Sequence, residues 1–90
     1  MSLVEIKISC TAKGTAFWLA LDKTDLRLVD GEVTLKRSRG KYYLVWWMVG
    51  AAGNTITVEI TIAGTKTKIV DSKIPAGRDK AAGVAEVEVK

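Results

Sequence analysis

The stretch Tyr42-Tyr43-Leu44-Val45-Trp46-Trp47-Met48-Val49 sets the terms for everything else this chain can do. It carries no charge, and it holds both tyrosines and two of the three tryptophans. It is far too short for a membrane-spanning helix, which needs about 20 apolar residues. Aromatic and β-branched content between turn signals marks it as a β-strand. Alternation then puts Tyr42, Leu44, Trp46 and Met48 on one face and Tyr43, Val45, Trp47 and Val49 on the other. Trp46 and Trp47 are neighbours and must point in opposite directions. A strand of a two-layer sandwich buries one face in the shared core. The second face needs another cover: a loop, the other end of the chain, a second subunit or a ligand.

The flanking sequence repeats the period-two theme. Val4, Ile6, Ile8 and Cys10 alternate with Glu5, Lys7 and Ser9. After a turn expected at Lys13-Gly14, Phe17, Leu19 and Leu21 alternate with Ala16, Trp18 and Ala20, and the small alanines beside Trp18 suit a closely packed face. Asp30-Gly31 joins 26–29 to 32–36 as a type I′ hairpin signal, because both central residues of that turn take positive φ. This pairing would align Leu26 and Leu28 with Val33 and Leu35. The clearest alternation is Thr55 to Ile62, with Ile56, Val58, Ile60 and Ile62 inward and a threonine-rich row outward. A shorter strand is expected over 65–70, with Lys66 and Lys68 guarding an edge. Residues 71–83 contain the only proline, Pro75, with Gly77 and Gly83, and read as an exposed loop. The last strand is expected over 84–89, with Ala85, Val87 and Val89 inward.

About eight short strands and no sustained 3.6-residue period predict one all-β domain over residues 1–90. Its expected form is a small antiparallel β-sandwich of immunoglobulin-like architecture, with a small closed β-barrel as the alternative. Ninety residues support one thin core and leave little depth for a catalytic cleft.

Composition narrows the chemistry. Histidine is absent, which removes the commonest general base and every triad built on it. A single cysteine allows neither an internal disulfide nor a cysteine zinc site. The carboxylates match no calcium-loop spacing. Glu86 and Glu88 share a strand face but read as solvated, and Gly50 to Gly53 leads into a strand rather than a phosphate-binding helix. The expectation is a non-enzyme with no cofactor and no metal. Glu5 and Lys7 interrupt any signal-peptide pattern, and no apolar run is long enough to span a membrane, so a cytoplasmic location is favoured.

What remains is surplus apolar surface. Trp18, Tyr43 and Trp47 are the candidate binding residues, with Arg37 and Arg39 as rim charges. The expected function is a binding or assembly module that meets a protein partner, or a second copy of the chain as a homodimer, through an aromatic sheet face. The competing explanation is that the loop over 71–83 covers these aromatics. An alternative function uses the basic segment Lys36 to Lys41 with Tyr42 and Tyr43 for weak binding of single-stranded nucleic acid or carbohydrate. A net charge of +4 disfavours nucleic acid as the partner.

Overall fold

The computed structural model describes residues 3–13 and 15–90, so Gly14 and the expected Lys13-Gly14 turn lie outside the described residues. The described chain forms eight strands and no helix: β1 (Val4–Ala12), β2 (Thr15–Leu21), β3 (Thr24–Asp25), β4 (Glu32–Arg37), β5 (Gly40–Gly50), β6 (Thr55–Ile62), β7 (Thr65–Lys73) and β8 (Lys80–Val89). They make two antiparallel four-stranded sheets. Sheet A has the order β4-β1-β6-β7, and sheet B the order β3-β2-β5-β8. Among the described residues no strand pairs with a strand of the other sheet, so this is a sandwich and not a closed barrel.

The inward residues of the two sheets meet in one core. Ile6, Ile8, Ile56, Val58 and Ile60 come from sheet A, and Leu19, Leu21, Leu44, Trp46, Met48, Val87 and Val89 from sheet B. Each fully buried aliphatic side chain stabilises the fold by about 1.5–3 kcal/mol. The sequence pattern assigns all of these to the inward face. No polar or charged residue is buried among the described residues, which fits a core built only on apolar contact.

Three local expectations are corrected. Asp30 and Gly31 do make a tight turn with φ of 53° and 79°, closed by hydrogen bonds between Val29 and Glu32. The runs beside it, however, do not form a hairpin. β4 leaves to pair with β1 in sheet A, while the chain before the turn pairs with β2 in sheet B. Asp-Gly here makes a crossover between layers, because Val33 and Leu35 lie across from Ile8 and Ile6 rather than from Leu28 and Leu26. Gly31 is tucked against β1, where its carbonyl accepts from the Cys10 N–H at 2.8 Å.

The second correction concerns β7, which runs to Lys73. A bulge between Val58 and Glu59 in the β6–β7 ladder shifts the register, so Val58 faces Val70 while Glu59 faces Lys68. The extra residue on β7 resets the inside–outside alternation and turns Val70 into the core.

The third correction is the largest. Most of 71–83 is strand, not loop. β7 and β8 take both ends of the segment and leave only residues 74–79 as the connection. Ile74 is buried, its N–H donates to the Asn54 carbonyl, and its own carbonyl accepts from the Gly53 N–H. The connection therefore closes one end of the sandwich and does not lie across a sheet face.

Candidate functional face

The two outward faces of the sandwich differ sharply. On sheet A, the outward rows read Glu5 beside Lys36, Lys7 between Thr34 and Thr61, and Ser9 between Glu32 and Glu59. A Lys7–Glu32 ion pair at 3.3 Å and a Lys66–Glu59 pair at 3.7 Å lie on this face, both exposed. It is a wet surface of threonine, lysine and glutamate, as one face of an antiparallel sheet is expected to be.

Sheet B presents the opposite. Its register places Ala16 beside Val49 and Lys80, Trp18 beside Trp47 and Ala82, and Ala20 beside Val45 and Val84; Tyr43 and Glu86 form the next row. From Ala16 to Val84 only Lys80, at one end, carries a charge. Trp18, Tyr43, Val45 and Val84 remain 57, 50, 41 and 64% exposed in the protomer. Strand spacing and rise give this apolar face an extent of about 350 Å². A monomer's largest apolar patch is commonly of that order and often functional.

The centre of the face is an indole pair. Trp18 on β2 and Trp47 on β5 are directly opposed, with ring centroids 4.8 Å apart and planes tilted by 50°. This tilted contact is favourable for two aromatic quadrupoles. Trp47 is half-buried beneath the contact and Trp18 is the more exposed of the two. Beside them lies an open apolar depression of about 690 Å³, bordered by Trp18, Trp47, Ala20, Val45, Ala82 and Val84. Its shape follows from side-chain size, since Ala20 and Ala82 are short beside the two indoles.

Gly83 explains how Trp46 fits on the inner side. Gly83 lies opposite Trp46 in the β5–β8 ladder, and a Cβ there would fall 2.8 Å from the indole Cζ2 and Nε1. The indole crosses the space a side chain would fill. Thus two adjacent tryptophans are handled differently: Trp46 is enclosed by the core over a glycine, and Trp47 is left on the outer face.

Tyr43 is held by the end of β2. The Asp22 N–H donates to the Tyr43 carbonyl at 2.8 Å, and the Tyr43 N–H donates to Asp22 Oδ1 at 2.9 Å. Asp22 reaches this geometry with φ of 52°, which Asp tolerates better than most residues. Below Tyr43 the face becomes charged, with Lys41 and Glu86 paired at 3.7 Å and Glu88 beside them.

The remaining candidates separate from this face. Arg37 ends β4 and its Nη1 donates to the Lys36 carbonyl, and Arg39 lies in the crossover to β5. From Arg39 to the level of Trp47 is about 26 Å along the strand, so neither arginine borders the indole pair. Tyr42 points inward, packs against the core, and donates its hydroxyl to the Ser38 carbonyl at 2.7 Å. This ties the crossover to β5, in the manner of a tyrosine that braces a sandwich corner. Tyr42 and Tyr43 are therefore on opposite sides of the sheet and do not form a joint stacking platform.

Sequence reasoning missed Ala82 and Val84 as members of the face. Their parity with Glu86 and Glu88 was readable, but Pro75, Gly77 and Gly83 masked the start of β8. Cys10 is buried, and burial pushes its thiol from the usual 9.0 up to about 11, as suits a core residue rather than a nucleophile. Among the described residues no three His, Cys, Asp or Glu side chains gather as metal ligands. Comparison of the chain with known protein families, curated proteins and solved structures gave no significant match.

Proposed function

We propose that this chain is a non-catalytic binding or assembly module that docks an apolar protein surface on the outer face of sheet B. The observation that carries this reading is the contrast between the two outer faces of one small sandwich. Both sheets had the same opportunity to be wet, and only sheet A is. Leaving Trp18, Tyr43, Val45 and Val84 in water forgoes their transfer free energy, about 25 cal/mol for each Å² of apolar surface, unless something covers them. The 74–79 connection closes one end of the sandwich, so the protomer's own loop is not that cover.

Protein is favoured over sugar by the chemistry of the face. The side chains around the indole pair are those of alanines and valines, none of which can donate to or accept from a sugar hydroxyl. Nucleic acid is favoured less, since the basic crossover and the aromatic face are separate and Tyr42 is committed to Ser38. A clustered aromatic anchor beside an open apolar depression is the arrangement that concentrates binding energy in protein contacts.

The test is selection of binders from a random displayed peptide library, followed by NMR mapping on the labelled protein. The reading expects aromatic, apolar peptides that shift the Trp18 and Trp47 indole N–H signals. It also expects binding to be lost in Trp18→Ser and kept in Arg39→Ala. Peptides that map instead to 36–41, or that bind Trp18→Ser undiminished, would overturn it. Fluorescent single-stranded oligonucleotides at low salt serve as the competing arm.

A further inference from the structure

The edges of the two sheets are not treated alike. β7, an edge of sheet A, carries Lys66, Lys68 and Lys73 and a bulge, which are common guards against strand addition. β4 is six residues long and ends in Lys36 and Arg37. β3, one edge of sheet B, is only two residues long. The other edge of sheet B is β8, with ten residues, and it has no proline and no bulge. Its outward row is Lys80, Ala82, Val84, Glu86 and Glu88, and its middle is unguarded.

Backbone alternation adds direction. The Gly50 N–H donates to the Asp79 carbonyl, so odd-numbered positions from 79 onward exchange hydrogen bonds with β5. The even-numbered positions, 80 to 88, aim their N–H and C=O groups at the free edge. These are the same residues whose side chains lie on the apolar outer face.

We propose that β8 adds antiparallel to β8 of a second copy of this chain, with the two-fold axis at Val84. This register sets Val84 against its own copy, Ala82 against Glu86, and Lys80 against Glu88. The row is self-complementary about its centre: opposite charges meet at both ends and exposed valines meet in the middle. Among the described residues neither Lys80 nor Glu88 has an ion-pair partner within the protomer, whereas Glu86 has Lys41. Lys80–Glu88 pairing across the edge therefore breaks nothing already made.

A two-fold axis perpendicular to the sheet keeps both apolar faces on the same side. Two faces of about 350 Å² become one platform of about 700 Å², close to the roughly 800 Å² per partner that a standard protein interface uses. The inference stands on the edge and not on the docking reading: a monomer would leave the apolar face intact, and a dimer without peptide binding would leave the edge intact.

Sedimentation equilibrium with register-specific variants tests it. The wild type dimerises reversibly. Lys80→Glu weakens dimerisation about tenfold, and adding Glu88→Lys to the same chain restores it, because both variants are exposed and the swap rebuilds the same pairs. In the two-fold pair the Val84 Cα atoms lie about 5.5 Å apart, within disulfide reach. Val84→Cys consequently oxidises to a covalent dimer, and Ala82→Cys, which faces Glu86 of the other copy, does not. Monomeric sedimentation up to about millimolar protein, or a dimer indifferent to Lys80→Glu, would overturn the proposal. So would cross-linking of Ala82→Cys as fast as Val84→Cys.

Discussion

Gly83→Ala tests whether the Trp46 indole crosses a glycine, which is what separates the buried tryptophan from the exposed pair. The new methyl carbon would stand 2.8 Å from Cζ2 and Nε1 and 2.9 Å from Cε2. Ordinary carbon contacts lie at about 3.5–4.0 Å, so the ring must retreat by about 0.7–1.2 Å. Trp46 is only 7% exposed and packed in the core, so a shift of the ring disturbs the side chains packed against it. Overpacking of this kind costs about 1–3 kcal/mol. Restricting the unfolded chain returns about 0.4–1 kcal/mol. The net loss is about 1–2 kcal/mol. For a chain of this size it lowers the thermal midpoint by about 5–15 °C, and it lowers the urea midpoint by about 1–2 M. Urea titration followed by far-UV circular dichroism reads it without relying on the tryptophan itself. Trp46→Phe combined with Gly83→Ala should lose less than the sum of the single changes, because the smaller ring relieves the clash. An unchanged or raised midpoint in Gly83→Ala would refute the close approach.

Leu44→Ala should cost about 2–5 kcal/mol, and the adjacent Val45→Ala less than about 1 kcal/mol, because one side chain is in the core and its neighbour is on the outer face; equal losses in denaturant titrations would contradict the strand's assigned faces. Tyr42→Phe should lose about 1 kcal/mol through the hydroxyl bond to Ser38, and a neutral result would show that the corner is not braced. The Cys10 thiol should resist thiol reagents at pH 8 in the folded protein. Above pH 9 the unfolded thiol gives up its proton while the folded one keeps it up to about pH 11, so stability falls as pH rises through that window, by about 3 kcal/mol in all. Cys10→Val should lack that part of the slope, and an identical alkaline profile for the two proteins would contradict the shift.

The period-two pattern was enough to find the sandwich because each strand's alternation is local. Ile56, Val58 and Ile60 are buried as their spacing requires, and β6 begins and ends where its pattern does. Partnership between strands is not local, and there the reading failed. Asp30-Gly31 specified its turn conformation but not the sheet that each flanking run would join. Gly83 looked like a breaker of structure because its reason is Trp46, thirty-seven positions earlier in the chain and opposite it in the ladder. Misplacing the start of β8 hid Ala82, left Val84 as the end residue of a shorter strand with no face assigned, and supplied a long loop as cover for the aromatics. Trp18, Tyr43 and Trp47 were legible as a set through parity alone. Arg37 and Arg39 were grouped with them on the strength of sequence proximity to Tyr43, which the crossover undoes.

The central claim is that one folded protomer encloses Trp46 and leaves Trp18 and Trp47 on an uncovered face. Acrylamide quenching of tryptophan emission tests it directly, comparing the wild type with Trp18→Phe, Trp46→Phe and Trp47→Phe at dilutions where the protein is monomeric. The account predicts that Trp46→Phe removes the blue, shielded component and that Trp18→Phe removes the most red-shifted, most readily quenched one. Blue emission that acrylamide cannot reach in Trp46→Phe would mean the outer indoles are enclosed, and the docking face would not exist.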